Sequence, residues 1–152
     1  MHNEKFQELK KWEGKRFSSS RSMAGRWLQY HILSVQPGDI RVRLRIRKAF
    51  SNPLGHMHGG VIALLADEIC GLCFYSMGLD PFYTTIGLHI DYLFGAPVGT
   101  TVTARARVLR SGKRMANVEF FLYDATEQLL AHATTNLMNS GTKILPIAPS
   151  ET

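Results

Sequence analysis

The alternation of apolar and polar residues along this chain predicts six β-strands, two before a long helix and four after it. In residues 40–47, four apolar side chains alternate with four arginines, which is typical of a strand with one buried face. Pro37 and Gly38 suit the centre of a tight turn and predict a hairpin with the preceding strand. We expect strands near residues 27–35, 40–47, 83–93, 101–109, 116–122 and 129–138.

Residues 59–77 break this alternation and predict the long helix. Apolar residues fall on nearly every side of it, so we expect it to be buried on most of its surface. Gly78 suits its C-terminal end. A shorter amphipathic helix is expected within residues 3–12, with Asn3 as its N-terminal cap.

The order of these elements predicts an α+β fold in which a mainly antiparallel sheet wraps around the one long helix. A length of 152 residues and a hydrophobic content of 45% fit a single core. We expect an N-terminal helix and loop in residues 1–24, the main domain in residues 25–140 and a loose tail in residues 141–152.

The sequence shows neither a signal-type apolar core nor an apolar run of the ~20 residues that a membrane span needs. The two cysteines, Cys70 and Cys73, give no disulfide framework, and a reducing cytoplasm is therefore expected, with no membrane partner. Their Cys-x-x-Cys spacing lies in mid-helix, where packing is a better interpretation than redox chemistry.

The chain is basic, with a net charge of +6, which favours acidic partners such as phosphates, nucleic acid or an anionic cofactor without selecting among them. The arginines of residues 41–47 are typical of a solvated sheet face. Nucleic-acid binding would rest on net charge alone, so we predict no nucleic-acid partner.

Asp67 is the leading candidate for chemistry because its helical face carries small or apolar residues, among them Gly60 and Ala63. Burial there would raise the pKa of its carboxyl, as suits a general base. The alternative is a buried acid satisfied by backbone groups or by Asn52. Glu68 lies one position further round and is the less favoured acid.

The start of the helix offers a second candidate group. Gly59 and Gly60 have no bulky side chains, and their N–H groups lack intrahelical partners, so two free amides are expected to face a developing oxyanion. The alternative is that the two glycines have only a packing role, because the chain turns tightly into a closely packed helix at this point. His56 and His58 with Asp67 are a conceivable zinc set, but no further ligand stands at a typical spacing, and we predict no metal.

The segment that runs from Asn52 through Gly55 and His58-Gly59-Gly60 to Asp67, taken with the order of elements, resembles the PaaI-like (phenylacetate-pathway) acyl-CoA thioesterases of the hotdog fold. The resemblance covers roughly residues 27–138. It implies hydrolysis of an acyl-CoA thioester to free acid and CoA, with no cofactor because CoA is part of the substrate. It also implies a homodimer with shared active sites, and a homotetramer built from two dimers.

The same resemblance implies a role for each matching residue. The Gly59 amide, with Gly60 beside it, polarises the thioester carbonyl, and Asp67 acts as nucleophile or general base. Asn52 orients substrate or water, and His58 holds the loop by hydrogen bonding. The acid and the glycine amide come from different subunits.

The resemblance also implies that Thr85, on the strand after the helix, assists the acid. Strand parity places Thr85 opposite Ile86 and Leu88, on the face away from the helix of its own subunit. It would reach the site only from that other face or through a bulge.

The turn of Ser111, Gly112, Lys113 and Arg114 is the candidate for binding the phosphates of CoA, because it combines bare amides with two cations. The alternative is a basic hairpin turn that is merely exposed.

Two other functions of the whole protein remain open: a non-catalytic acyl-CoA binder or sensor, and a hotdog hydratase or dehydratase. Asn52-Pro53 with His56 is faintly similar to the hydratase motif Asp-x-Asn-Pro-x-His, but the Asp is missing.

Overall fold

A computed structural model describes residues 2–143 and shows one six-stranded antiparallel sheet packed on a long helix. Most of the predicted tail, from residue 144 onward, lies outside the described residues. The sheet has the order β1-β2-β4-β5-β6-β3. The helices are α1 (Glu4–Lys10), α2 (Met23–Leu28) and α3 (Gly59–Tyr75). The strands are β1 (His31–Gln36), β2 (Asp39–Arg45), β3 (Tyr83–Tyr92), β4 (Thr101–Ser111), β5 (Met115–Tyr123) and β6 (Leu129–Asn139).

The predicted α+β architecture is confirmed, and the alternation in the sequence explains it. Ile40, Val42 and Leu44 of β2 are buried, whereas the arginines between them are exposed. Gly38 has a φ of 77°, as the predicted turn before β2 requires. Among residues 2–143, no helix combines the length and apolar character that crossing a bilayer requires.

Helix α3 packs one side on the sheet and leaves the other side open in the single chain. Its buried side contains Leu65, Ile69 and Cys73, among others, whereas Gly60 and Asp67 are exposed. The remaining residues of α3 are buried or partly buried, so the expected burial of most of its surface fails only at Gly60 and Asp67. Burial raises the pKa of the Cys73 thiol to about 12, as expected of a packing residue.

The prediction of a strand over residues 27–35 is wrong at its start, because Trp27 lies in α2. Ser22 caps this short helix by accepting a hydrogen bond from the Gly25 amide at 3.0 Å. The left-handed conformation of Gln29, with φ 58°, ends it, and β1 follows. The predicted boundary at residue 24 thus falls inside α2.

The two edges of the sheet differ. Residues 13–17 run along β1, where the Gly14 amide donates to the Ile32 carbonyl at 2.8 Å and the Ile32 amide donates to the Lys15 carbonyl at 3.1 Å. Within residues 2–143, no strand pairs with the outer edge of β3. The β1 edge is therefore covered and the β3 edge is open.

Candidate active site

Asp67 and Thr85 meet at the open side of α3. The Thr85 hydroxyl donates to Asp67 Oδ1 at 2.7 Å. A β-bulge makes this contact possible, because the pairing of β3 with β6 skips Ile86, between Thr85 and Gly87. The expected parity is wrong here: Thr85 faces α3 of its own chain, and Ile86 is 50% exposed.

The carboxylate of Asp67 is exposed in the single chain, which contradicts the predicted burial. In the described part of the chain, its Oδ2 forms no hydrogen bond or ion pair. One oxygen is thus held by Thr85, and the other is available to a water molecule or a substrate.

Glu68, the neighbouring acid, forms hydrogen bonds with two residues of the N-terminal part of the chain. Its Oε1 accepts hydrogen bonds from the Ser20 hydroxyl at 2.7 Å and from the Tyr30 hydroxyl at 3.1 Å. Burial, followed by the charge of Glu68, raises the pKa of Tyr30 well above its ordinary value. A Cβ at Gly25 would lie 2.0 Å from this Oε1, so a larger residue there would displace the carboxylate from its present position. The carboxylate therefore ties residues 20–30 to α3.

Replacing Glu68 with alanine is expected to lower the free energy of unfolding by about 1–3 kcal/mol, because the buried Tyr30 hydroxyl loses its partner. Urea denaturation would measure the change, and Asp67→Ala at the adjacent exposed position is the matched control. Equal stability of the two variants would contradict the structural role of Glu68.

The start of α3 presents one free amide rather than two. His58 is the N-cap, and its Nδ1 accepts a hydrogen bond from the Gly60 amide at 2.8 Å. The expectation that Gly60 offers a free amide is therefore wrong. In the described residues the Gly59 amide forms no hydrogen bond, while the Gly59 carbonyl accepts one from the Tyr92 hydroxyl at 2.8 Å.

Asn52 shapes the loop before the helix. Its Oδ1 accepts hydrogen bonds from the amides of Leu54 at 2.9 Å and His56 at 3.0 Å. Asn52 and Gly59 line a cavity of about 300 Å³. The side-chain nitrogen of Asn52 forms no hydrogen bond within residues 2–143, so it is available to a ligand in this cavity.

The turn of residues 111–114 joins β4 to β5, and Lys113 and Arg114 are exposed. The amide of Gly112 donates to the Met115 carbonyl at 2.9 Å, so the expected bare amide is wrong at this position. The Tyr83 hydroxyl bonds to the Gly112 and Lys113 carbonyls at 3.0 and 3.1 Å. The two cations are the part of the turn that fits phosphate binding.

Two features of the site were not predicted from the sequence. The first is the hydrogen bond from the Tyr92 hydroxyl to the Gly59 carbonyl, and the second is the pair of hydrogen bonds that Glu68 accepts from Ser20 and Tyr30. Both join residues more than 30 positions apart. No local pattern signals such contacts. In the part of the chain that is described, no three His, Cys, Asp or Glu side chains lie close enough together to hold a metal ion.

The six-stranded antiparallel sheet packed on one long helix is the architecture of the hotdog fold. The family model of the thioesterase superfamily matches residues 54–131, and the chain belongs to that superfamily. It is a thioester hydrolase, as the family model and its named relatives show.

Named relatives and solved structures agree with this assignment. Human acyl-coenzyme A thioesterase 13 is 27% identical over 66% of this chain and 72% of its own. The 1,4-dihydroxy-2-naphthoyl-CoA hydrolase of Listeria monocytogenes is 32% identical over 65% of this chain and 80% of its own. A Streptococcus mutans protein bound to acetyl-CoA superimposes with a TM-score of 0.74 at 25% identity, covering 83% of this chain and 97% of that one. The Escherichia coli PaaI protein shares the fold, with a TM-score of 0.72 at 23% identity over 76% of this chain and 87% of its own.

Proposed function

We propose that this protein is an acyl-CoA thioesterase that acts as a homodimer with two shared active sites. Each site combines Asp67 and Thr85 of one subunit with the partner's Gly59 and the partner's Asn52. The names of the relatives support the acyl-CoA substrate. CoA is part of that substrate, and the proposed reaction uses water and the residues of the chain, without a cofactor.

The separation of the two candidate groups carries the proposal of a shared site. Gly59 and Asp67 are eight residues apart on α3, which is about 12 Å along its axis. Gly59 lines the cavity of about 300 Å³, whereas Asp67 lines a different cleft of about 620 Å³. One carbonyl cannot contact both groups in a single chain, so a site that uses both needs two chains.

The open edge of β3 supports a two-fold pair. Ile86, Tyr92, Leu93 and Phe94 lie on or just after this strand and are about half exposed. A second copy that pairs along the same edge would extend the sheet and cover these side chains. It would also bring the open sides of the two α3 helices toward each other. Pairing of two such dimers into a homotetramer is part of the proposal.

The chemistry follows from the available atoms. The Gly59 amide donates to the thioester oxygen and stabilises the oxyanion that forms on attack. Asp67 Oδ2 either takes a proton from the attacking water or attacks the carbonyl itself. When water attacks, the carbon–sulfur bond breaks, the free acid forms and the thiolate of CoA takes the proton that Asp67 removed. When Asp67 attacks, the carbon–sulfur bond breaks to leave a mixed anhydride on Asp67, the thiolate takes a proton from water, and a water molecule then hydrolyses the anhydride to the free acid and the carboxylate of Asp67. Thr85 holds Oδ1 and so orients the carboxylate.

Further residues complete the proposed site: Asn52, His58 and the two cations of the turn between β4 and β5. The nitrogen of the Asn52 side chain orients the reactants, and His58 maintains the helix start through its bond to Gly60. Lys113 and Arg114 bind the phosphates of CoA, since both are exposed cations on one turn.

Thiol release from short, long and aromatic acyl-CoAs tests the activity, and mixed dimers test the shared site. Asp67→Ala and Gly59→Pro are each expected to retain at most about 1% of wild-type activity. After denaturation and refolding together, half the dimers are mixed and each has one intact site, so about a quarter of wild-type activity returns. The control is the same two proteins refolded separately and then combined.

No recovery would contradict the shared site. Ligand binding without thiol release from any acyl-CoA would instead favour the non-catalytic binder.

A further inference from the structure

The cleft that contains Asp67 and Thr85 extends well beyond these two residues. Its volume of about 620 Å³ is in the range of small-molecule sites. One wall is the open face of α3, and the others are residues 17–22, residues 79–85 and part of α1, which contributes Lys5, Glu8 and Leu9. It leads away from the Gly59 end of the helix, toward Tyr75.

The wall formed by residues 17–22 lies outside residues 54–131, the part that matches the family model. This wall is fixed in place by Glu68, which accepts the hydrogen bond from Ser20, and by Arg26, whose Nε donates to the Ser20 carbonyl at 2.7 Å. These hydrogen bonds hold the wall against α3, so the N-terminal segment forms one side of the cleft.

Gly71 lies halfway along the cleft, one turn after Asp67 on the same helical face. Glycine is unfavourable in a helix interior. An added Cβ at Gly71 would meet no atom within 4 Å, so no packed neighbour requires the glycine. The missing side chain instead leaves open space in the cleft.

Tyr75 lies one further turn along α3 and also lines the cleft. Its hydroxyl accepts a hydrogen bond from Arg21 at 2.8 Å and donates one to Glu8 at 2.7 Å. Lys5 lies 5.2 Å from the centre of its ring and pairs with Asp80 at 2.6 Å. The polar groups at this end are paired with one another, and between them and Asp67 the cleft is lined largely by apolar side chains, such as those of Phe17, Leu72 and Phe82.

We infer that this cleft binds the acyl group, that Gly71 lets the acyl chain pass and that Tyr75 sets its maximum length. The inference rests on the proposed function. Gly71 and Tyr75 lie about 6 and 12 Å beyond Asp67 along the helix. An extended chain advances about 1.2 Å per bond, so the cleft takes an apolar acyl group of roughly ten carbons.

The middle of the cleft, at Gly71, and its far end, at Tyr75, give opposite tests. Gly71→Leu is expected to lower kcat/KM for decanoyl-CoA about tenfold or more relative to kcat/KM for acetyl-CoA, whose acyl group does not extend as far as Gly71. The loss should lie mainly in KM, because the reacting atoms are untouched. Tyr75→Ala should shift the preferred acyl group toward palmitoyl-CoA, because it removes the end wall.

Gly71→Ala and Tyr75→Phe are the matched controls. The alanine adds a single carbon and should reduce decanoyl-CoA hydrolysis less than leucine does. The phenylalanine keeps the ring and should keep the wild-type length preference. If Gly71→Leu raises KM equally for acetyl- and decanoyl-CoA, the cleft holds the CoA part and the inference is wrong.

Unchanged length profiles in both Gly71→Leu and Tyr75→Ala would also overturn the inference. These results differ from a failure of the proposed function, in which the wild-type protein itself releases no thiol from any acyl-CoA. Thermal unfolding of each variant would separate a change in specificity from a loss of folded protein.

Discussion

Replacement of Asp67 with alanine is expected to lower kcat for thioester hydrolysis by about 10²- to 10⁴-fold, the usual contribution of a positioned acid–base group. Its Oδ2 is the carboxylate oxygen that Thr85 does not bind, and within residues 2–143 it forms no hydrogen bond or ion pair. Glu68, the next residue, uses its Oε1 to bind Ser20 and Tyr30. Thiol release under saturating substrate would measure the effect.

The fold should survive this change. Asp67 is exposed and makes one hydrogen bond, to Thr85, so its removal leaves no buried group without a partner. Asp67→Asn is the stricter variant, because it keeps the size and the Thr85 contact while removing the base. Turnover near the wild-type value in either variant would rule out Asp67 as the working acid.

Replacement of Gly59 with proline is expected to lower kcat by about 10²- to 10³-fold, because it removes the proposed oxyanion donor. The backbone favours this substitution. Gly59 is the first residue of α3, where proline is well tolerated, and His58 has φ −62° and ψ 136°, which suits a residue before proline. The helix should therefore form as before.

Gly59→Ala is the matched control for the proline variant. Both variants place a Cβ about 3.2 Å from the Tyr92 ring, but alanine retains the N–H group. We expect the alanine variant to keep most of its turnover, measured with the same acyl-CoA. Equal losses in the two variants would show that crowding against Tyr92, rather than the amide, is responsible.

The sheet was predictable from the sequence because most of its strands have one face on the core. Strands β2, β4, β5 and β6 each show a clear alternation, and their bounds lie within two residues of those expected. The alternation gives the wrong face for Ile86, because a β-bulge there shifts by one residue which side chains point toward the core. A single residue of this kind decides whether Thr85 meets Asp67.

The sequence predicted only the part of the site that lies in one continuous segment, where local pattern and family resemblance apply. The glycines at the helix start and Asp67 belong to one continuous segment. Their surroundings depend on distant residues: Ser20 and Tyr30 bind Glu68 across 48 and 38 positions. The exposure of Asp67 also differs from the expected burial, because helix periodicity does not tell which side faces the sheet and which faces outward.

The unequal edges of the sheet limit how this protein assembles. An edge strand with free N–H and C=O groups is a template on which further chains can add. In the described part of the chain, residues 13–17 already occupy the β1 edge, so β3 alone is open. A two-fold pair through β3 consumes both open edges at once. Strand addition then stops at two copies, and the pair offers no starting point for fibre growth.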